Sequence, residues 1–123
     1  MGRILLIDDT PDIAELLTFS LCDQGFEVFS AGYTTSVNEL IVEHRVDAVV
    51  LDCSSYEMSE ALFDAVRHHP IHEDVPIVII SDTPEEADAS LASRSAKKVL
   101  LIPKPFTGGQ VGRALAQLLE SAA

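Results

Sequence analysis

Short apolar runs recur along the chain and alternate with segments that have helical periodicity. Each run is rich in β-branched side chains and is bounded by polar or turn-forming residues, as is typical of strands. Four of the five runs lack in/out alternation, which is typical of parallel strands covered by helices on both faces. The predicted strands are Arg3–Ile7, Phe26–Phe29, Val46–Leu51, Pro76–Ile80 and Lys98–Ile102.

The segments between the runs place apolar residues three or four positions apart, on one side of a helix. In the first segment Thr10 is the expected N-cap, and Pro11 occupies the first helical position, where proline is favoured. The same pattern predicts further helices after Thr34, Ser59, Thr83 and Thr107.

Two of the helices carry an additional start signal. Thr83 with Glu86, and Thr107 with Gln110, have the spacing of a capping box, in which two side chains bond reciprocally to backbone N–H groups. The fourth helix offers few apolar positions, so we expect it to be the most weakly anchored element. Its candidate core residues are Ala87, Leu91 and Ala92.

Strands that alternate with helices five times predict one α/β domain over residues 1–123, with (βα)5 architecture. For a doubly wound parallel sheet of this size, the common arrangement is the flavodoxin-like strand order 2-1-3-4-5. Its switch point lies between strands one and three, and ligands bind there at the carboxyl ends of the strands. The residues just after Ile7, Leu51, Ile80 and Ile102 are therefore the candidates for chemistry.

Charge and composition narrow the function classes. Twenty acidic residues against eight basic ones give a net charge of −12, which repels nucleic acid and anionic membranes. We therefore expect neither direct nucleic-acid binding nor membrane binding, and no apolar run is long enough to span a bilayer. Cys22 and Cys53 lack CxxC spacing, which disfavours a disulfide framework or a zinc site and favours a cytoplasmic location.

Three carboxylates follow the two strands at the predicted switch point. Asp8 and Asp9 come after the first strand, and Asp52 comes after the third. Like charges this close are unfavourable without a counterion. Mg²⁺ prefers a few carboxylates together with water and phosphate oxygens, so the pattern predicts a magnesium site.

A hydroxyl and an ammonium group follow the other two strands, at Ser81 and Lys104. Phosphoryl transfer depends mainly on positioning and charge neutralisation, which a metal ion and a lysine supply while a carboxylate acts as the nucleophile. The spacing therefore predicts a phosphoryl-transfer site in which an aspartate is the acceptor.

Together these motifs resemble the receiver domain of response regulators in two-component signalling. The matching segments are spread over nearly the whole chain: Ile4–Asp9, Val49–Asp52, Val78–Ser81 and Lys104–Phe106.

The resemblance implies that Asp52 accepts a phosphoryl group from the phosphohistidine of a histidine kinase or a histidine phosphotransfer protein. Ser81 and Lys104 would contact the phosphoryl oxygens, and the Lys104–Pro105 peptide bond would be cis. The domain would not be a conventional enzyme, although it would assist its own phosphorylation and dephosphorylation. It would signal to a downstream protein through the face formed by helix four, strand five and helix five.

The same resemblance implies that Mg²⁺ is the cofactor. Asp9 would bind the ion directly, and Asp8 would bind it directly or through water. Asp52 and the backbone carbonyl of Ser54 would be further ligands.

Three positions depart from the family pattern. The usual proline and glycine after the phosphoacceptor are replaced by Tyr56 and Glu60, and the usual aromatic residue before the lysine is replaced by Leu101. An aliphatic side chain has no ring to rotate between an exposed and a buried position, so signalling would run mainly through the loop after Ser81 and through helix four.

Two other function classes are alternatives to this interpretation. A phosphatase of the haloacid-dehalogenase type would need Asp-x-Asp, but the acids here are adjacent and Thr10 stands in the third position. A receiver fold that acts as a phosphorylation-independent interaction scaffold remains the alternative, and the departures at Tyr56, Glu60 and Leu101 favour it. The chain is either a stand-alone regulator or a part of a longer protein.

Overall fold

Strands and helices alternate throughout residues 2–122, which the computed structural model describes. The strands are β1 (Arg3–Asp8), β2 (Glu27–Ala31), β3 (Ala48–Asp52), β4 (Ile77–Ser81) and β5 (Val99–Pro103). The helices are α1 (Pro11–Asp23), α2 (Val37–His44), α3 (Tyr56–Arg67), α4 (Pro84–Ser93) and α5 (Gly108–Ala122). All strand pairs are parallel in the order β2-β1-β3-β4-β5, so the predicted flavodoxin-like (βα)5 fold is confirmed.

Each face of the sheet has its own apolar core, because successive strand residues point to opposite faces. In β1, Leu5 and Ile7 belong to the core that also contains residues of α2, α3 and α4, whereas Ile4 and Leu6 belong to the core that contains residues of α1 and α5. The central strands are buried on both sides, as the continuous apolar runs predicted. In the described residues 2–122, no helix is long and apolar enough to cross a membrane.

The strand ends differ from the predicted ends by about one residue. Four strands extend one residue further than expected, because Asp8, Asp52, Ser81 and Pro103 still pair with their neighbours in the sheet. The polar residues after the apolar runs are therefore parts of the strands, and the sheet itself fixes their backbones.

The predicted start of the third helix is wrong by four residues. The helix begins at Tyr56 rather than after Ser59, because Tyr56 is the first residue of its buried side. Ser59 lies inside the helix and is also buried. The members of this side are spaced three or four residues apart: Tyr56, Ser59, Leu62, Phe63 and Val66.

Two glycines let α5 pack closely against α1. A Cβ atom at Gly108 would collide with the Ser20 side chain, and one at Gly112 would collide with the Gln24 amide. The Gln24 amide also donates a hydrogen bond of 3.1 Å to the carbonyl of Gly108. The lack of a side chain at both positions therefore sets the distance between these helices.

The capping-box prediction is confirmed for α5 and wrong for α4. Thr107 Oγ1 accepts a hydrogen bond from the Gln110 N–H (3.1 Å), and Gln110 Oε1 accepts one from the Thr107 N–H (2.8 Å). Neither Thr83 nor Thr10 makes a side-chain cap bond. The Thr83 hydroxyl lies instead beside Ser81 Oγ, 3.3 Å away.

We expect Thr107→Ala to lower the free energy of unfolding by about 1 kcal/mol, because it leaves a helical N–H without its partner. Thr10→Ala is the matched control, since Thr10 precedes α1 without a cap bond and its loss should change stability much less. Chemical denaturation of both variants measures the difference. Equal losses would show that the capping box contributes nothing specific.

Candidate functional site

Two buried carboxylates lie side by side at the carboxyl edge of the sheet. Asp8 and Asp52 are the last residues of β1 and β3, and they are partners in the pairing of those strands. Their exposed fractions are 4% and 2%. The sheet therefore holds two acids together at the switch point between β1 and β3, where the sequence placed the site.

Each of these carboxylates has one satisfied oxygen and one unsatisfied oxygen. Asp8 Oδ1 accepts a hydrogen bond of 2.8 Å from the Thr10 N–H, and Asp52 Oδ1 lies 3.1 Å from Lys104 Nζ. In the described part of the chain, the Oδ2 atoms of both aspartates are buried without a hydrogen-bond partner. Such atoms are rare in native proteins and are common where an ion or ligand binds.

The electrostatics of the pair disfavour two negative charges. Burial, the negative charges of Asp52 and Asp9 and a side-chain hydrogen bond of the protonated form with Asp52 together raise the pKa of Asp8 to about 6, although the hydrogen bond from the Thr10 N–H opposes them. Lys104 is ion-paired with Asp52 and not with Asp8. The ionised site therefore carries more negative charge than its own residues neutralise.

Asp9 does not point into this pair. Its Oδ1 accepts a hydrogen bond of 2.9 Å from the Ser54 N–H, and its Oδ2 accepts one from the Ser54 hydroxyl. The sequence predicted that three carboxylates lie together. In the structure two of them, Asp8 and Asp52, lie side by side, and the third, Asp9, is hydrogen-bonded to Ser54 in the loop after β3. Among residues 2–122, no three acidic, histidine or cysteine side chains are already arranged around a common metal position.

Ser81 and Lys104 reach the same edge from β4 and the end of β5. The two are joined directly, because the Lys104 N–H donates a hydrogen bond of 2.8 Å to the Ser81 carbonyl. The Lys104–Pro105 peptide bond is cis, as predicted. The Ser81 hydroxyl is buried and accepts a hydrogen bond of 3.0 Å from the Thr83 N–H, so it is tied to the start of α4.

Thr10 and Thr83 also belong to this site, although the sequence pattern predicted them only as residues at the starts of helices. Each lies two positions after a site residue and donates its backbone N–H to that side chain. Asp, Ser and Thr often form such local turns, so the i to i+2 spacing was the available signal.

The donor set fits a hard divalent cation. Oxygen is the ligand that Mg²⁺ prefers, and the two unsatisfied carboxylate oxygens lack any other partner in the described residues. Asp9 and Ser54 lie on the adjacent loops and are bonded to each other. A cation near Asp8 and Asp52 would relieve the repulsion that raises the pKa of Asp8.

The three departures from the family pattern occupy defined places. Tyr56 is buried at the start of α3, and Leu101 in β5 is partly buried against the core beneath α4. Glu60 lies on α3 and accepts a hydrogen bond from Ser90 on α4. None of the three touches Asp52 through a hydrogen bond or an ion pair in the described residues.

A family model described as the response regulator receiver domain matches residues 4–116. The chain belongs to this family. The DNA-binding response regulator MtrA of Mycolicibacterium smegmatis is 32% identical over 104 residues, which cover 85% of this chain and 44% of MtrA. The receiver domain thus spans less than half the length of that relative, which is named as a DNA-binding protein.

Solved structures share the fold over nearly the full length of the receiver domain. A sensor protein from Polaromonas sp. JS666 superposes with a TM-score of 0.86 at 24% identity, covering 99% of this chain and 98% of that one. The receiver domain of the sensor histidine kinase PA1611 from Pseudomonas aeruginosa superposes with a TM-score of 0.76 at 18% identity, covering 97% and 98%. That domain is described with a magnesium ion coordinated in its active-site cleft.

Asp8→Asn should stabilise the metal-free receiver domain at pH 7.5. The pKa of Asp8 is raised in the folded state, so the native protein holds this proton up to about pH 6, while the unfolded chain releases it near 3.8. The free energy of unfolding therefore falls as the pH rises between those two values, by an amount on the order of 1–3 kcal/mol. Asparagine does not ionise, so the variant does not undergo this loss.

Urea denaturation in the presence of a chelator measures this effect at pH 7.5 and at pH 4. Asp12→Asn is the control, because Asp12 is an exposed acid in the first turn of α1. The gain from Asp8→Asn should shrink toward pH 4, where Asp8 is protonated in the folded state and partly protonated in the unfolded chain. A gain that is absent at pH 7.5, or that is matched by the control, contradicts the argument.

Proposed function

We propose that this receiver domain takes a phosphoryl group from a phosphohistidine donor onto Asp52. The observation that carries the proposal is the state of the Asp52 carboxylate. One of its oxygens is paired with Lys104, and the other is buried without a partner beside Asp8. The domain then acts as a signalling component rather than a conventional enzyme, and it assists its own phosphorylation and dephosphorylation.

The two oxygens of Asp52 have different roles in this proposal. The unpaired Oδ2 attacks phosphorus as the nitrogen–phosphorus bond of the donor histidine breaks, and the donor imidazole takes up a proton as it leaves. Before the transfer, Lys104 is ion-paired with Oδ1 of Asp52. From this position it can contact an oxygen of the phosphoryl group that becomes bonded to Asp52. The buried Ser81 hydroxyl supplies a hydrogen bond to a second phosphoryl oxygen.

Mg²⁺ is the proposed cofactor, held by Asp8, Asp9, Asp52 and the backbone carbonyl of Ser54. When bound, it neutralises the phosphoryl oxygens and the carboxylate pair. Asp9 would have to exchange its bond to Ser54 for this role.

The side of α1 next to the site is a suitable docking surface for the donor protein. Leu16 and Phe19 are 72% and 77% exposed, and Ile13 lies one turn before them. Exposed apolar side chains grouped in this way are typical of interaction surfaces. The acidic residues Asp12 and Glu15 lie beside them. They favour a donor protein that has an apolar contact surface bordered by basic residues.

The proposed output is a changed surface at α4, β5 and α5, read by a downstream protein. A phosphoryl group on Asp52 would recruit the Ser81 hydroxyl, which now accepts the Thr83 N–H at the start of α4. Leu101 is partly buried under α4 and has no ring to reorient. We expect this signalling to occur in the cytoplasm, without direct contact to nucleic acid or membrane by this domain.

The test is labelling with acetyl phosphate in the presence of Mg²⁺, followed by intact-mass measurement. The wild-type domain should gain one phosphoryl group, and Asp52→Asn should gain none while keeping its fold, because only the nucleophile is lost. Asp12→Asn is the matched control and should be labelled like the wild type. Labelling of Asp52→Asn would refute the acceptor assignment, and a wild type that is never labelled would favour the interaction scaffold.

Mg²⁺ should raise the melting temperature, because it binds the native carboxylate pair and not the unfolded chain. At ten times its dissociation constant we expect a shift of about 4 °C. Asp9→Asn should weaken this response, whereas Asp12→Asn should leave it unchanged. A melting temperature that is insensitive to Mg²⁺, with Ca²⁺ and Mn²⁺ equally ineffective, would rule out the site.

A further inference from the structure

A group of four polar side chains connects α3 to the end of α4. Glu60 and Asp64 project from α3 one turn apart, and Ser90 and Arg94 face them from the last turn and the C-cap of α4. Arg94 donates to both oxygens of Asp64, with Nε–Oδ1 at 2.8 Å and Nη2–Oδ2 at 3.0 Å. Glu60 Oε2 accepts a hydrogen bond of 2.7 Å from the Ser90 hydroxyl and lies 3.4 Å from Arg94 Nη2.

The four side chains form one connected network. Arg94 Nη1 donates to the Ser90 carbonyl (3.1 Å) and to the Ser90 hydroxyl (2.5 Å), which in turn donates to Glu60. Each charged member is about one-third exposed, with side-chain exposures of 31–35%. Single pairs this exposed contribute little, but a bidentate arginine within a network is the arrangement in which such contacts stabilise.

This network replaces apolar anchoring that α4 lacks. Of the three predicted core residues of α4, Ala87 and Leu91 are buried, as predicted, whereas the prediction for Ala92 is wrong because that residue is exposed. The hydrogen bond to Asp64 raises the pKa of Arg94 against the opposing effect of burial, and the charges of Asp64 and Glu60 act in the same direction as the hydrogen bond. One of the positions that depart from the family pattern, Glu60, therefore contacts the end of α4.

The two ends of α4 are held by different groups. At the start, Thr83 is hydrogen-bonded to the Ser81 hydroxyl, which belongs to the phosphorylation site. At the end, Ser90 and Arg94 are bonded to α3, which is itself fixed in the core by Leu62, Phe63 and Val66. A movement of Ser81 thus reaches the start of the helix directly, whereas the end is bonded to α3, which makes no hydrogen bond to Ser81 in the described residues.

We propose that Glu60 and Asp64 form a latch that holds the C-terminal half of α4 against α3, so that phosphorylation displaces mainly the first turn of α4. The displacement part rests on the proposed function, whereas the latch itself exists in the unphosphorylated protein. Glu60 and Asp64 are positioning residues that act through Ser90 and Arg94, and they set how far along α4 the signal travels.

The first experiment needs no phosphodonor. Amide hydrogen exchange is measured by NMR in the wild type, in the double variant Glu60→Gln/Asp64→Asn, and in the control Glu57→Gln/Asp88→Asn. The control removes two charges from the same helices at exposed positions. We expect residues 89–95 to exchange about ten-fold faster in the latch variant, with the control like the wild type. Equal exchange in all three proteins would overturn the latch.

The second experiment adds beryllofluoride and Mg²⁺ as a phosphoryl analogue. In the wild type the amide shifts should be large at residues 82–87 and small at residues 90–95, and in the latch variant they should extend through residue 95. Uniform shifts along α4 in the wild type would overturn the proposal. If the analogue bound to neither protein, the proposed function would fail, and the exchange experiment would still decide whether the latch exists.

A charge exchange separates the latch from a general loss of charge. Asp64→Arg and Arg94→Asp should each speed the exchange of residues 89–95, and the double variant Asp64→Arg/Arg94→Asp should restore slow exchange in part, because the opposite charges face each other again. A double variant at least as fast as the sum of the single ones would show that the Asp64–Arg94 pair does not hold α4.

Discussion

The pairing of Asp8 with Asp52 is the constraint on which the site depends. The register of β1 and β3 places two acids opposite each other at the end of two buried strands, where water cannot solvate them well. One lysine compensates one of the charges. Burial, together with the neighbouring negative charges, raises the pKa of Asp8. This edge of the sheet is therefore the proposed position for a cation and a phosphoryl group.

Much of this arrangement could be predicted from the sequence, because topology determines it. Once five apolar runs form a parallel sheet, the residues after β1, β3, β4 and β5 must meet at one edge, whatever the details of packing. Asp8, Asp52, Ser81 and Lys104 therefore required no knowledge of side-chain conformation. The weak apolar anchoring of α4 was predictable for a similar reason, since it depends only on residue type along the helix.

The rest depended on rotamers and on distances between helices, which a sequence pattern does not encode. Asp9 follows Asp8 directly, yet its carboxylate is bonded to Ser54 because the loop after β3 offers two donors there. The Thr83 hydroxyl had the spacing of a cap but lies beside Ser81. The start of α3 was misjudged because Tyr56, which has both polar and apolar character, did not stand out as a core residue.

The sheet carries helices on both faces, and the two faces hold them in different ways. On one face the missing side chains of Gly108 and Gly112 seat α5 directly on α1, and any added atom at those positions collides. On the other face α4 rests on two buried apolar residues and a network of exchangeable hydrogen bonds. In the proposed output surface, α5 is therefore fixed in position against α1, whereas α4 is able to shift. A protein that contacted both helices across β5 would sense the position of α4 relative to α5 rather than the shape of either helix alone.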